Sequence, residues 1–337
     1  MSRTLPLLFS GALIAGGAPS PALAEAPRVA VDIAPVHSLV ARVMQGVGEP
    51  ALVIPPGASP HEHSLRPSEA TSLQEADIVF WVGADLTPWM AGAVETLAEG
   101  ATVTALLDAG GTTRLDFRDS ALFEAHAHGA DDHGDHDDHG DEAGAEDHDH
   151  HGDEASAEDD HHDHGGHGAH DPHAWLSPDN AAAWMDVIAA ELSDADPGNA
   201  GAYAENAATA IAEIEALKAE IDATLEPVRD IRFIVFHDAY QYFERAFEIP
   251  ASGAISLGDA ADPSPARIAG IQARMREESI DCVLAEPQFN PGLVTTVLDG
   301  TEASIGVLDP LGSDLDPGPA LYPQLLRNLA DTLAACR

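Results

Sequence analysis

The stretch that decides the fold is residues 198–225, GNAGAYAENAATAIAEIEALKAEIDATL. Ala, Glu and Leu dominate it, and its apolar residues recur every three or four positions, the period of a helix with one buried face. Asp196-Pro197 starts the helix, and Pro227, which cannot continue a helical ladder, stops it. At 1.5 Å per residue such a helix reaches roughly 40 Å, enough to run down one side of a two-domain body.

On both sides of this helix, short apolar strands alternate with amphipathic segments. Upstream, RVAVDI (28–33), ALVI (51–54), DIVFWV (77–82) and residues 101–107 read as strands, with helices expected over 38–45, 66–76 and 86–98. Ser177-Pro178 has the form of a helix cap followed by a first-turn proline, opening a helix to about residue 192. Downstream, RFIVF (232–236), 249–255, DCVLA (281–285) and 304–308 read as strands, with helices over 239–247, 264–278, 291–298 and 321–335. Strands separated by helical segments of about ten residues mean βαβ units and mostly parallel sheets. The expected order is α/β, long helix, α/β, dividing the chain into a lobe over 25–196, a linking helix over 197–227 and a second lobe over 228–337.

The first 24 residues, MSRTLPLLFSGALIAGGAPSPALA, carry a basic residue, an apolar middle and a small-residue end of A-x-A type. That is the pattern of a cleavable signal peptide, and Gly and Pro break it before it is long enough to span a bilayer. No later stretch reaches roughly 18 uninterrupted apolar residues, so export to a periplasm without membrane insertion is expected. Asp and Glu number 58 against 15 Lys and Arg. This balance argues against nucleic acid and anionic membranes and suits cationic partners. The cysteines are two, Cys282 and Cys336. In an oxidising compartment an even count points to one disulfide, tying the last helix to the second lobe; two buried thiols are the alternative.

Residues 119–171 interrupt the alternation. They hold no Lys or Arg and little besides Asp, Glu, His, Gly and Ala, and 14 of the 18 histidines lie between His126 and His173. Such a segment buries too little apolar surface to offset its ordering entropy, so a disordered loop is expected. Its Asp/His mixture suits weak, exchangeable metal sites, with His148, His150, His151, His161, His162, His164, His167 and His170 as secondary ligands. Neutral imidazole is required for ligation, so the tract should release zinc below about pH 6.5. A flexible loop also spends entropy on ordering, so a preformed cleft should bind more tightly.

Four histidines lie outside the tract, and His173 stands at its far edge. His61 follows the strand ALVI through a Gly/Pro loop, His237 follows RFIVF directly, and His173 leads into a capped helix. In open α/β sheets ligand sites form beyond the carboxyl ends of strands, so one His from each of three places can meet between two lobes. Three imidazoles suit Zn²⁺. For His37 a hydrogen-bonded structural role is expected. His63 can be a ligand, a neighbour behind the ligands or a solvated group.

The motifs GASPHEHSLRPSEA, DPHAWLSPDNA, FHDAYQYFERAF, AEPQFNPGLV and LDPLG occur in this order. Together they resemble the periplasmic zinc-binding proteins of ABC uptake systems, the ZnuA type within the cluster 9 (A-I) solute-binding proteins, over nearly all the chain after residue 24. The resemblance implies two (β/α)4-like lobes joined by one rigid long helix, with the metal buried between them. It implies His61, His173 and His237 as zinc ligands, with Phe236 and Trp175 close by. Some zinc-type relatives carry a carboxylate just before the first His; Pro60 stands there in this chain. The fourth position then falls to water or to Asp309 of LDPLG. Manganese-type relatives have a carboxylate in the third position, so three imidazoles favour zinc over manganese. The partners implied are a membrane permease and its cytoplasmic ATPase, with the binding protein a monomer. A zinc hydrolase is the competing class, since catalytic zinc also has three protein ligands and an open position. The chain has no HExxH, and Glu62 and Glu286 are the obvious bases near the motifs. A metal buffer without a transporter is a third reading.

Overall fold

The computed structural model describes residues 26–118, 170–256, 263–289 and 291–336. The leader and all tract histidines before His170 lie outside the described residues. Strand β1 (Val29–Val31) is followed by helix α1 (Ala34–Val43), β2 (Ala51–Leu52), α2 (Pro67–Glu75), β3 (Ile78–Trp81), α3 (Pro88–Leu97) and β4 (Thr102–Ala105). These strands form a parallel sheet in the order β2-β1-β3-β4. Every residue of β1 and β3 is buried, as expected for central strands covered on both faces.

Two short strands, β5 (Leu115–Asp116) and β6 (His170–Asp171), then pair antiparallel across the His-rich insert. Regular structure therefore resumes at His170, and the last two residues of the expected loop belong to a ladder. A composition-based boundary misses this because the pairing partner lies before the insert.

The α4 (Pro178–Ala195) and α5 (Ala200–Leu225) helices follow. The Ser177 hydroxyl accepts from Asn180 N, capping α4 as the Ser-Pro pair predicts. Helix α5 buries Tyr203, Ala207, Ala210, Ile214, Leu217, Ile221 and Leu225, steps of three and four that place one stripe inward. That stripe packs against α4, α1 and the last helix.

The second half contains β7 (Phe233–His237), α6 (Gln241–Phe247), β8 (Gly253–Ser256), α7 (Pro265–Glu278), β9 (Cys282–Ala285), α8 (Pro291–Leu298), β10 (Ser304–Val307) and α9 (Leu321–Ala334). Its parallel sheet has the order β10-β9-β7-β8, the same strand sequence as the first sheet. The repeat extends to side chains. Arg28 N donates to Asp77 Oδ2 (2.8 Å) and Arg232 N to Asp281 Oδ2 (2.9 Å), across equal separations of 49 residues. The fold is thus the α/β architecture expected, two parallel sheets with one long helix between them.

Some boundaries differ. Helix α1 begins at Ala34, not residue 38, because Pro35 preorganises its first turn without any polar cap to signal it. Strand β8 begins at Gly253, not residue 249: Ile249 N bonds back to Glu244 O, Glu248 is left-handed, and Pro250 has no donor for a ladder. Cys282 on β9 and Cys336 beyond α9 are joined by a disulfide, with Cα atoms 5.7 Å apart. One contiguous apolar core runs from the first sheet through α1, α4 and α5 to α9, and a smaller one around Ile234, Phe236 and Val283 lies under α7 and α8. Among the described residues no helix is long and apolar enough to cross a membrane.

Candidate metal centre

Three separate segments bring imidazoles together. His61 sits in the loop after β2, where Ser59 Oγ accepts from its backbone N (3.3 Å) and Trp89 Nε1 donates to Pro60 O (2.7 Å). His173 follows β6 and starts a single 3-10 turn, Ala174–Leu176. His237 is the last residue of β7, at the carboxyl end of its sheet. One nitrogen from each of the three lies within 4.8 Å of the others, and this is the one such group of His, Cys, Asp or Glu among the described residues. His173 and His237 are buried and His61 is half-buried.

The orientation of the two buried rings is fixed from behind. His173 Nδ1 lies 2.8 Å from Asp171 Oδ1, and His237 Nδ1 lies 2.7 Å from Glu286 Oε1. Each imidazole thereby presents Nε2 forward, and the two Nε2 atoms are 3.4 Å apart. With Zn–N bonds of about 2.0–2.1 Å, a tetrahedral edge comes to roughly 3.3–3.4 Å. The spacing therefore suits a shared ion.

Burial sets the protonation. It pushes His237 down to about 3 and lowers His173 as well, despite the opposing effect of Asp171. The same burial pushes Glu286 well above the usual carboxylate range. Both rings are therefore neutral and ready to ligate at any physiological pH. The surroundings are mainly apolar. Trp175 is fully buried beside His173, and its Nε1 donates to Pro310 O (2.8 Å), linking this wall to the second lobe. Phe289 stacks on Phe236 (4.4 Å between centroids) and meets the edge of His237 (5.3 Å). A cavity of about 10 Å³, room for a single ion or water, adjoins the three histidines.

The other expected residues lie elsewhere. His63 Nε2 is 2.9 Å from Glu69 Oε2, pointing to the start of α2. His37 Nε2 donates to Pro50 O (3.0 Å), the structural role expected of it. Asp309 stands outside the clustered group: its Oδ1 accepts from Gln288 Nε2 (3.1 Å) and Leu311 N (3.0 Å), and its Oδ2 accepts from Ser313 N (2.5 Å). His170 lies between two carboxylates, with Nδ1 3.6 Å from Asp85 and Nε2 4.0 Å from Asp116. These face opposite ring nitrogens, so one ion cannot bridge all three groups. The remaining loop histidines, His148 to His167, lie outside the described residues.

The insert is rooted at this centre. Just before it, Arg118 bridges Asp238 (3.1 Å) and Glu244 (2.7 Å), and just after it comes Asp171, which supports His173. The supporting roles of Asp171 and Glu286 were not evident in the sequence. Asp171 carries a weak signal, a carboxylate two residues before His173. Glu286 carries none, because it reaches His237 only through the parallel pairing of β7 with β9.

Residues 29–336 match the family model for zinc-uptake complex component A, periplasmic. The chain belongs to this family. It is 44% identical to the high-affinity zinc uptake system protein ZnuA of Brucella abortus (strain 2308), covering all of this chain and 99% of that protein. It is 43% identical to the protein of the same name from Paracoccus denitrificans (strain Pd 1222), over all of this chain and 99% of that one. In fold it is similar to a crystal structure of ZnuA, with a TM-score of 0.70 and 21% identity over 92% of this chain and 99% of that one. The family match spans both sheets, the linking helix and all three clustered histidines.

Proposed function

We propose that this protein is the high-affinity zinc-binding component of an ABC uptake system, capturing Zn²⁺ between its lobes and delivering it to a membrane permease driven by a cytoplasmic ATPase. His61, His173 and His237 hold the ion. The observation that carries the reading is the pair of buried, neutral Nε2 atoms 3.4 Å apart, each aimed by a carboxylate on Nδ1. Water completes the shell, since both oxygens of Asp309 serve the turn that contains it. Residues 1–24 direct export to the periplasm and are removed, and the protein works there as a monomer. Residues 25–196 and 228–337 act as lobes joined rigidly by the helix of 197–227. The tract histidines, His148, His150, His151, His161, His162, His164, His167 and His170, collect zinc weakly and release it beside Asp171, where the insert rejoins the fold.

Binding and not catalysis is the reading the site supports. Glu286 lies behind His237, on the side away from the ion, and Glu62 is exposed. Neither is placed to take a proton from a substrate. Manganese is disfavoured because the clustered group contains no carboxylate.

Zinc titration against a competing chelator tests the assignment. His173→Ala and His237→Ala should each weaken binding by on the order of 100-fold or more, since even groups behind the ligands contribute 10–100-fold. Wild-type affinity in both variants would remove the site from the cleft. Hydrolysis of activated esters by the zinc-loaded protein, absent from both variants, would favour the enzyme class.

A further inference from the structure

A buried acceptor beside the three histidines, Gln288 Oε1, has no hydrogen-bond partner among the described residues. Gln288 lines the small cavity that adjoins His61, His173 and His237. Buried polar atoms are normally satisfied, so each such atom needs an explanation.

The Gln288 amide is not free to turn. Its Nε2 donates to Asp309 Oδ1 (3.1 Å) and to Ser313 Oγ (2.9 Å). Flipping it would set Oε1 against a carboxylate oxygen that already accepts from Leu311 N. The turn around Asp309 thus holds the amide with its oxygen directed elsewhere. The neighbouring Phe289, Trp175 and Pro310 bring no hydrogen of an N–H or O–H group to this oxygen; the indole Nε1 of Trp175 is used by Pro310 O.

A ligand that satisfies this acceptor must carry a hydrogen on an atom small enough for the cavity. Water bound to the ion has that form, and coordination makes its O–H groups stronger donors. We propose that Gln288 is a positioning residue for zinc capture: its Oε1 receives an O–H group of the water that completes the zinc shell. This rests on the assignment of the ion to His61, His173 and His237. It gives AEPQF and LDPLG a joint task, the second motif clamping the amide of the first.

Two variants separate this role from a merely structural one. Gln288→Leu removes the acceptor and the amide donors. Gln288→Glu removes the same donors to Asp309 and Ser313 but keeps an oxygen acceptor at the cavity. Zinc affinity, measured by chelator competition on the full chain, should fall about tenfold in Gln288→Leu and stay within about threefold of wild type in Gln288→Glu. The zinc-loaded crystal structure should show a water bonded to zinc and to Gln288 Oε1. Equal losses in both variants would mean that Gln288 only braces the turn, and would overturn the proposal. So would wild-type affinity in Gln288→Leu, or a side chain in the fourth position. If the underlying assignment were at fault instead, His173→Ala and His237→Ala would also keep wild-type affinity.

Discussion

His173 and His237 are each backed by a buried carboxylate, Asp171 at 2.8 Å and Glu286 at 2.7 Å. These contacts leave Nε2 of each ring facing the other clustered imidazoles and hold the ring still. Asp171→Asn and Glu286→Gln should therefore weaken zinc binding by about 10–100-fold while leaving one ion bound; isothermal titration would show this. Protonation gives a second check. Protons compete with the ion only below a ligand's pKa, and burial holds both rings under the ordinary histidine value. Between pH 7 and 5.5, two ordinary imidazoles with pKa of about 6.5 would cost roughly 70-fold in affinity. Affinity of the cleft should fall by about tenfold or less over that range, whereas any zinc on the tract should be released below about pH 6.5. Chelator competition at the two pH values measures the difference.

At the scale of elements, the last helix depends on a covalent tie. The Cys282–Cys336 bond joins β9 to the end of α9 across a sequence separation of 54. The loop-closure relation gives about 4 kcal/mol for a ring of that size, and measured values commonly run about 2–4 kcal/mol. Cys282→Ala/Cys336→Ala should lower unfolding stability by this order in urea, with zinc affinity retained because neither cysteine touches the site. Caps matter less. The Ser177 hydroxyl satisfies one donor of α4, so Ser177→Ala should cost about 1 kcal/mol.

Over the whole molecule, the continuous core that includes α1, α4, α5 and α9 ties both halves to one helix. Bending at that helix would open apolar surface to water, which costs roughly 25 cal/mol per Å². Zinc loading should therefore leave the radius of gyration nearly unchanged in solution X-ray scattering, unlike a wide hinge closure. The insert, by contrast, leaves and returns through the β5–β6 ladder without contributing a clustered ligand. Deleting residues 126–169 should leave one tightly bound zinc and abolish the weaker ions. Loss of the tight site would refute its assignment to the three histidines.

The sequence by itself determined the alternation of strands and helices, the long helix, the cap at Ser177, and the three histidines worth bringing together. Those features are written in local periodicity and in short motifs, where each residue's role depends on near neighbours. Tertiary structure decided the rest. It shortened β8 and α1's lead-in, extended order back to His170, and showed Asp309 absorbed by its own turn. It alone placed Glu286 behind His237 and left Gln288 with an open acceptor at the cavity beside the three histidines. Those relations arise from the register of parallel strands and from loops meeting across two lobes, so residues 49 apart, such as His237 and Glu286, become neighbours without any signal in local sequence.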